Sequence, residues 1–286
     1  MAKNRFRPFT PDPEFVDLLD PYSGNRVNGL NEAHVRPPTM VWWAPDMDEA
    51  VFGQAQRWFY GTRNPTTKMR ATRARRRDAV ESPLPPVACR TVERSPEEWT
   101  AELQAFVDAG DCEMTGVARL RPEWVFDHEH TDLSKVIVLG VQHDYEELRH
   151  VPELRGGKDV TRQYVRAAEA SKKVAAWLRD QGHRAEAVTG PMTGKILLIP
   201  PALESGFGEL GKHGSIINPE FGSAFRLGAV LTDAPFATTP SREFGIDDFC
   251  RRCRVCENAC PPEAIGPEKQ TVRGAEKWYV DSDAGG

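Results

Sequence analysis

The chain of 286 residues has no apolar stretch approaching the ~18 residues that a membrane-crossing helix needs. Its start, Met1 to Arg7, has neither the apolar core of a secretion signal nor a twin-arginine leader, so the expected location is cytoplasmic, with no membrane partner. Positive charge is not in excess: 37 Lys and Arg stand against 42 Asp and Glu, a net charge of -5, which gives no reason to expect nucleic acid. The dinucleotide and phosphate-loop fingerprints are missing. Gly206-Phe207-Gly208 lacks the rest of the first pattern, and no Lys-Ser pair completes the second. Cysteine is scarce outside one stretch. Cys89 and Cys112 stand alone, and a large chain without secretory features is no disulfide framework.

The remaining four of the six cysteines fall within residues 250–260, as Cys250, Cys253, Cys256 and Cys260 followed by Pro261. The spacing C-x2-C-x2-C-x3-C-P is that of ferredoxin-type iron–sulfur segments, in which the fourth cysteine commonly serves the other cluster of a pair. Three thiolates in a short loop can turn toward one centre, and proline suits the first turn of a following helix. Zinc is the competing reading, although zinc sites more often use two separated pairs or histidines. No second comb follows before Gly286. Cys260 therefore either closes a single cluster or awaits ligands from elsewhere.

Residues 1–94 read as an irregular region rich in proline, aromatics and arginine. Pro8, Pro11, Pro13, Pro21, Pro37 and Pro38 interrupt it. Trp42, Trp43, Phe52, Trp58, Phe59 and Tyr60 can clamp it onto another domain. Asp46 to Tyr60 suits a helix. The basic run Arg70, Arg73, Arg75, Arg76 and Arg77 reads as a solvated helix face, or as a docking site for an acidic electron donor or an anionic cofactor tail. Ser82 to Val87 reads as a linker. From Ser95 the pattern becomes that of an open α/β domain. Ser95-Pro96-Glu97-Glu98 is a capping box. Glu113 to Leu120, Lys135 to Val141 and Arg184 to Val188 suit strands. The longest helix is predicted over Thr161 to Gln181, stopped by Gly182. Thr189 to Thr232 holds many glycines and prolines, suggesting backbone that wraps closely around something large and flat. His128, His130 and His143 invite a metal reading, but two of them are one residue apart in a predicted loop.

One succession carries a family likeness: Leu203 through Gly214, Ile217-Asn218-Pro219-Glu220-Phe221-Gly222, Arg226, Leu231-Thr232-Asp233, the comb, then Arg273-Gly274-Ala275-Glu276-Lys277-Trp278-Tyr279. It resembles the corrinoid-dependent reductive dehalogenases, and residues 1–94 resemble the leading region of cytoplasmic, non-respiratory members. It is more distantly similar to epoxyqueuosine reductase. Against that second family, Leu197 to Pro201 has no acid where its proton-donating aspartate should stand, and the basic extension for tRNA is absent.

The resemblance implies a nitroreductase-like cobalamin-binding α/β domain at 95–240 with an appended ferredoxin-like iron–sulfur segment at 241–286. It implies cobalamin without a protein ligand below the cobalt, and [4Fe-4S] clusters held by Cys250, Cys253, Cys256 and Cys260. It further implies reductive removal of halogen from a halogenated organic substrate, a haloarene or haloalkene, with a haloaromatic as the expected class. Tyr164 takes the position of the family's proton-donating tyrosine and Arg226 that of its basic partner, with Tyr145 as rival donor. A guanidinium beside a phenol favours the phenolate and helps release its proton. Lys212, His213 and Asn218 fall on the cofactor side. The electron donor would be an external ferredoxin or flavodoxin. The family's second comb should follow Asp281, so the expectation is a fragment, a frameshifted product, or one half of a split enzyme whose second polypeptide supplies the missing ligands. The alternative is an iron–sulfur electron-transfer or corrinoid-carrier protein without catalysis.

Overall fold

The computed structural model describes residues 10, 12–19, 23–43, 46–62, 67–151, 153–190 and 194–284. Met1 to Arg7, Pro8, Pro11, Pro21, Pro191 and Gly286 lie outside them, as do the side chains of Phe59 and Tyr60. Among the described residues, four helices precede Ser95 in the region read as irregular: α1 (Pro13–Leu19), α2 (Gly24–Asn28), α3 (Gly53–Thr62) and α4 (Thr67–Glu81). The capping box forms as its sequence dictates. Ser95 Oγ accepts from Glu98 N, and the Glu98 carboxylate accepts from Ser95 N, opening α5 (Pro96–Glu102), with α6 (Gln104–Asp108) behind it.

The core is a four-stranded antiparallel sheet in the order β1 (Met114–Arg119), β2 (Lys135–Gln142), β6 (Phe225–Thr232), β3 (Ala185–Val188). Helices α7 (Tyr145–Leu148) and α8 (Leu154–Asp180) follow β2, and α9 (Ile199–Glu204) follows β3. Strand β2 is buried on both faces because both are covered. Ile137, Leu139 and Val141 enter the core under α8 with Val174, Ala175 and Leu178. Val136 and Val138 face the opposite core with Ala202 of α9 and Phe207. Each such buried aliphatic contributes about 1.5–3 kcal/mol relative to exposure.

Helix α8 begins before the expected Thr161. Gly156 and Gly157 hide its first turns from a propensity reading, yet Gly156 is buried and packs on Val151, where a Cβ would stand 2.6 Å from Val151 Cγ2. It ends as predicted, with Gly182 at φ +84° accommodating the left-handed turn. Strand β6, not foreseen in the glycine-rich segment, runs beneath α8. Its Gly228 faces Ser171 and Ala167, and a Cβ there would stand 2.4 Å from Ser171 Oγ.

Beyond the sheet lie the short ladder β4 (Glu209–Leu210) with β5 (Ile216–Ile217), then α10 (Ile246–Arg252), α11 (Val255–Ala259) and the hairpin of β7 (Gln270–Val272) with β8 (Ala275–Lys277). The N-terminal region packs on two of these parts. Leu30 bridges Val272, and Asn25 Nδ2 donates to Asp281 at 2.8 Å. Arg75 of α4 pairs with Glu169 of α8 at 2.8 Å. The proline-rich stretch is stitched down rather than free: Arg179 donates to Pro85 O at 2.8 Å, and Ala88 N donates to Arg179 O at 2.8 Å. Among the described residues no helix is long and apolar enough to cross a membrane.

Candidate functional site

Register brings Tyr164 and Arg226 together. Alternate residues of a strand share a face, so Arg226 lies on the α8 side with Gly228. Gly228 lets β6 approach Ala167 and Ser171, and Tyr164 lies one turn before Ala167 on α8. One strand step outward from Gly228, the Arg226 guanidinium reaches the Tyr164 ring, Cζ to centroid 4.6 Å. A second guanidinium comes from α4, with Arg76 Cζ 5.6 Å from the same centroid. Gly190, after β3, lies beside the ring, since a Cβ there would stand 4.0 Å from Tyr164 Cδ1. Arg226 Nε is buried without a hydrogen-bond partner, and so are Arg76 Nε and Nη2. Buried donors left without acceptors are costly. Their presence around one phenol fits a site whose acceptors arrive with a ligand, and a large cofactor or an anionic substrate meets that need.

His143 completes this end of the sheet. It follows β2, and its backbone N donates to Ala224 O at 2.8 Å, just before β6. Its ring Nδ1 lies 2.6 Å from Asp159 Oδ2, with His143 4% and Asp159 0% exposed. Asp159 Oδ1 also accepts from Gln163 at 2.8 Å and Arg162 at 3.1 Å. Burial holds the His143 pKa below its ordinary value, the Asp159 bond opposes this, and nearby Arg226 reinforces it. A neutral imidazole therefore adds no charge of its own beside Arg226. Tyr145, the rival donor, is 68% exposed on α7.

The cofactor-side candidates are engaged as follows. Asn218 is buried, gives its amide to Phe207 O at 2.8 Å, and accepts from Glu220 N and Phe221 N, which shapes a turn. His213 Nδ1 accepts from Ser215 N at 3.1 Å, Nε2 faces Ser223 Oγ at 3.2 Å, and burial lowers its pKa. Lys212 turns to the comb and binds Glu257.

The comb occupies α10, α11 and their junction. Cys250 is buried in α10, Cys253 caps that helix, Cys256 lies in α11 and Cys260 caps it. All six cysteines of the chain are free of disulfides. Burial raises the Cys256 thiol pKa, and the neighbouring Cys250 raises it further. Four soft thiol donors in one short segment fit an iron–sulfur cluster or zinc. Among the described residues, no three His, Cys, Asp or Glu side chains converge on a common point. The Cys112 thiol, by contrast, is pushed up to about 12, chiefly by burial.

Comparison with curated proteins shows what the chain is similar to. The chain is 30% identical over 286 residues to the tetrachloroethene reductive dehalogenase of Dehalobacter restrictus, covering 90% of this chain and 51% of that one. It is 34% identical over 194 residues to that of Desulfitobacterium hafniense, covering 64% and 34%. The chain is a homologue of the corrinoid reductive dehalogenases. This dehalogenase homologue thus spans about half, or less, of the length of these curated relatives. Epoxyqueuosine reductase of a Synechococcus strain is a weaker match, 30% identical over 213 residues, covering 68% of this chain and 61% of that one. No family model matches the homologue. A solved catabolic reductive dehalogenase superposes with a TM-score of 0.69 at 21% identity, over 76% of this chain and 33% of that one. The fold is thus the mixed α/β, nitroreductase-like architecture of the reductive dehalogenases, with a separate small hairpin segment beyond the comb.

Two features of the homologue's site were not assigned from sequence. Arg76 belongs to a run whose five arginines look alike in one dimension, and only the packing of α4 on α8 selects it. The His143–Asp159 pair joins residues 16 positions apart across α7. The one signal available was a histidine directly after an apolar strand.

Proposed function

We propose that this chain forms the corrinoid-binding and proton-donating part of a reductive dehalogenase acting on a halogenated phenol or related haloaromatic. The overall change is R–X plus two electrons and a proton, giving R–H and halide. The observation that carries the reading is the Tyr164 phenol set against two guanidinium groups with unsatisfied buried nitrogens. Residues 95–240 hold the corrinoid, with the glycine-rich segment carrying His213 and Asn218 along its seat. Residues 241–286 hold a [4Fe-4S] cluster through Cys250, Cys253, Cys256 and Cys260. When bound, the reduced corrinoid supplies the electrons that break the carbon–halogen bond, and the iron–sulfur cluster resupplies them from an external low-potential donor of the ferredoxin or flavodoxin class.

The protein's own part is the proton. Tyr164 gives its hydroxyl proton to the carbon that loses halogen, and Arg226 and Arg76 stabilise the phenolate left behind. His143, kept neutral by burial, leaves the positive charge of Arg226 for that phenolate. The substrate class has separate support. One solved reductive dehalogenase of this fold is in complex with 3-bromo-4-hydroxybenzoic acid. A phenolate or carboxylate of that kind is a suitable acceptor for guanidinium donors.

The test is anaerobic loading of the chain with cobalamin, iron and sulfide, followed by a halide assay on an ortho-halophenol under a strong reductant. The proposal expects equimolar cobalt and halide release. Iron retained with neither cobalt nor halide release contradicts it and leaves an electron-transfer protein.

A further inference from the structure

A single buried cation ties the glycine-rich segment to the comb. Lys212 is 2% exposed, and its ammonium donates to the Glu257 carboxylate and, at 3.3 Å, to the Cys253 carbonyl. The Trp278 ring centroid lies 4.9 Å from Lys212 Nζ. Trp278 is itself buried and donates its indole N–H to Asp247 of α10 at 2.8 Å. Glu257, on α11, accepts in addition from Arg254 Nε at 3.0 Å.

Burying an ammonium costs several kcal/mol unless opposite charge and hydrogen bonds answer it. Here they do, and each answering group belongs to the comb or braces it. Cys253 is a comb residue, Glu257 directly follows Cys256, and Trp278 is braced on the helix that carries Cys250. Lys212 is the buried cation of this group, whereas Arg254 is 68% exposed and its charge is screened by solvent. Reduction of a cluster adds one negative charge. A fixed cation in a dry environment stabilises the reduced form more than the oxidised form, which raises the potential.

We propose that Lys212 is a positioning residue of the cysteine comb, fixing the Cys253 backbone and raising the reduction potential of the cluster that the comb holds. This rests on the cluster reading under Proposed function.

The test uses the full chain reconstituted anaerobically with iron and sulfide. Iron and sulfide content are measured, and the potential is read by redox titration followed by electron paramagnetic resonance. Lys212→Met shifts the potential to more negative values, Lys212→Arg leaves it near that of the parent, and Glu257→Gln shifts it to more positive values. Equal shifts in Lys212→Met and Lys212→Arg, or an unmoved potential in Lys212→Met with full iron, overturn the inference and leave the cluster reading standing. Where the Lys212 variants fail to retain iron, Glu257→Gln decides: a positive shift supports the inference, and a negative shift or none overturns it. A parent protein that takes up no iron and sulfide overturns the cluster reading and this inference together.

Discussion

Replacing Arg226 with Met separates what the guanidinium does for folding from what it does for chemistry. On the folding side two effects oppose each other. The variant loses a cation–π contact with Tyr164 at 4.6 Å, worth about 0.5–2 kcal/mol. It also removes the buried Nε that has no acceptor, a relief of about 1–3 kcal/mol, reduced because the residue is only half-buried. Met fills much of the same volume. The net change in stability is within about 1 kcal/mol. On the chemical side, a unit charge 4.6 Å from the ring stabilises a full phenolate by about 3–4 kcal/mol at an effective dielectric near 20. A half-transferred proton realises about half of this, about 1.5–2 kcal/mol, so turnover falls roughly 10- to 30-fold. Denaturant unfolding of the unloaded chain reads the first quantity, and halide release from the loaded chain reads the second. An Arg226→Met protein destabilised by more than about 2 kcal/mol would make Arg226 a structural residue, and full turnover would remove it from the reaction.

Other expectations follow from packing and protonation. Gly228→Ala puts a Cβ 2.4 Å from Ser171 Oγ and 2.8 Å from Ala167 O, which destabilises by about 1–3 kcal/mol, whereas Gly266→Ala, with nothing within 4 Å, is near neutral in the same denaturant assay. The native pKa of His143 lies below its unfolded value of about 6.5, so the folded state binds fewer protons. Its contribution to stability is present above that value and is lost as pH falls through it toward the native pKa. Between about pH 7.5 and 5.5 the parent therefore loses more stability than His143→Gln, and an equal loss in both contradicts the assignment. An alkylating reagent labels exposed Cys89 in the folded protein and spares Cys112, whose buried thiol stays protonated; rapid labelling of Cys112 would show that its site opens.

Local signals in this sequence translated directly into structure, and non-local ones did not. The Ser95 box, the Lys135 to Val141 run and the Gly182 stop each depend on neighbours in sequence, and each appears where expected. Strand β6 was hidden because Gly228 weakens its strand pattern, and the reason for that glycine is the approach of α8. The aromatic-rich start of the chain shows no periodicity because its partners are remote, with Asn25 bound to Asp281 and Leu30 to Val272. At the candidate site, the pairing of Tyr164 with Arg226 came from the likeness to the reductive dehalogenases, not from spacing. Arg76 and Asp159 needed the fold. Lys212 was placed on the cofactor side by its glycine-rich neighbours, while its charge is answered by Glu257, 45 positions away.

The account depends most on the phenol of Tyr164. In the corrinoid- and iron-loaded chain, Tyr164→Phe keeps the ring beside Arg226 and Arg76 and removes a single oxygen. Cobalt retention should match the parent, while halide release in a single turnover falls about 10²- to 10⁴-fold, the range for loss of a general acid. Parent-like halide release from Tyr164→Phe with full cobalt would contradict the assignment of the proton to this residue.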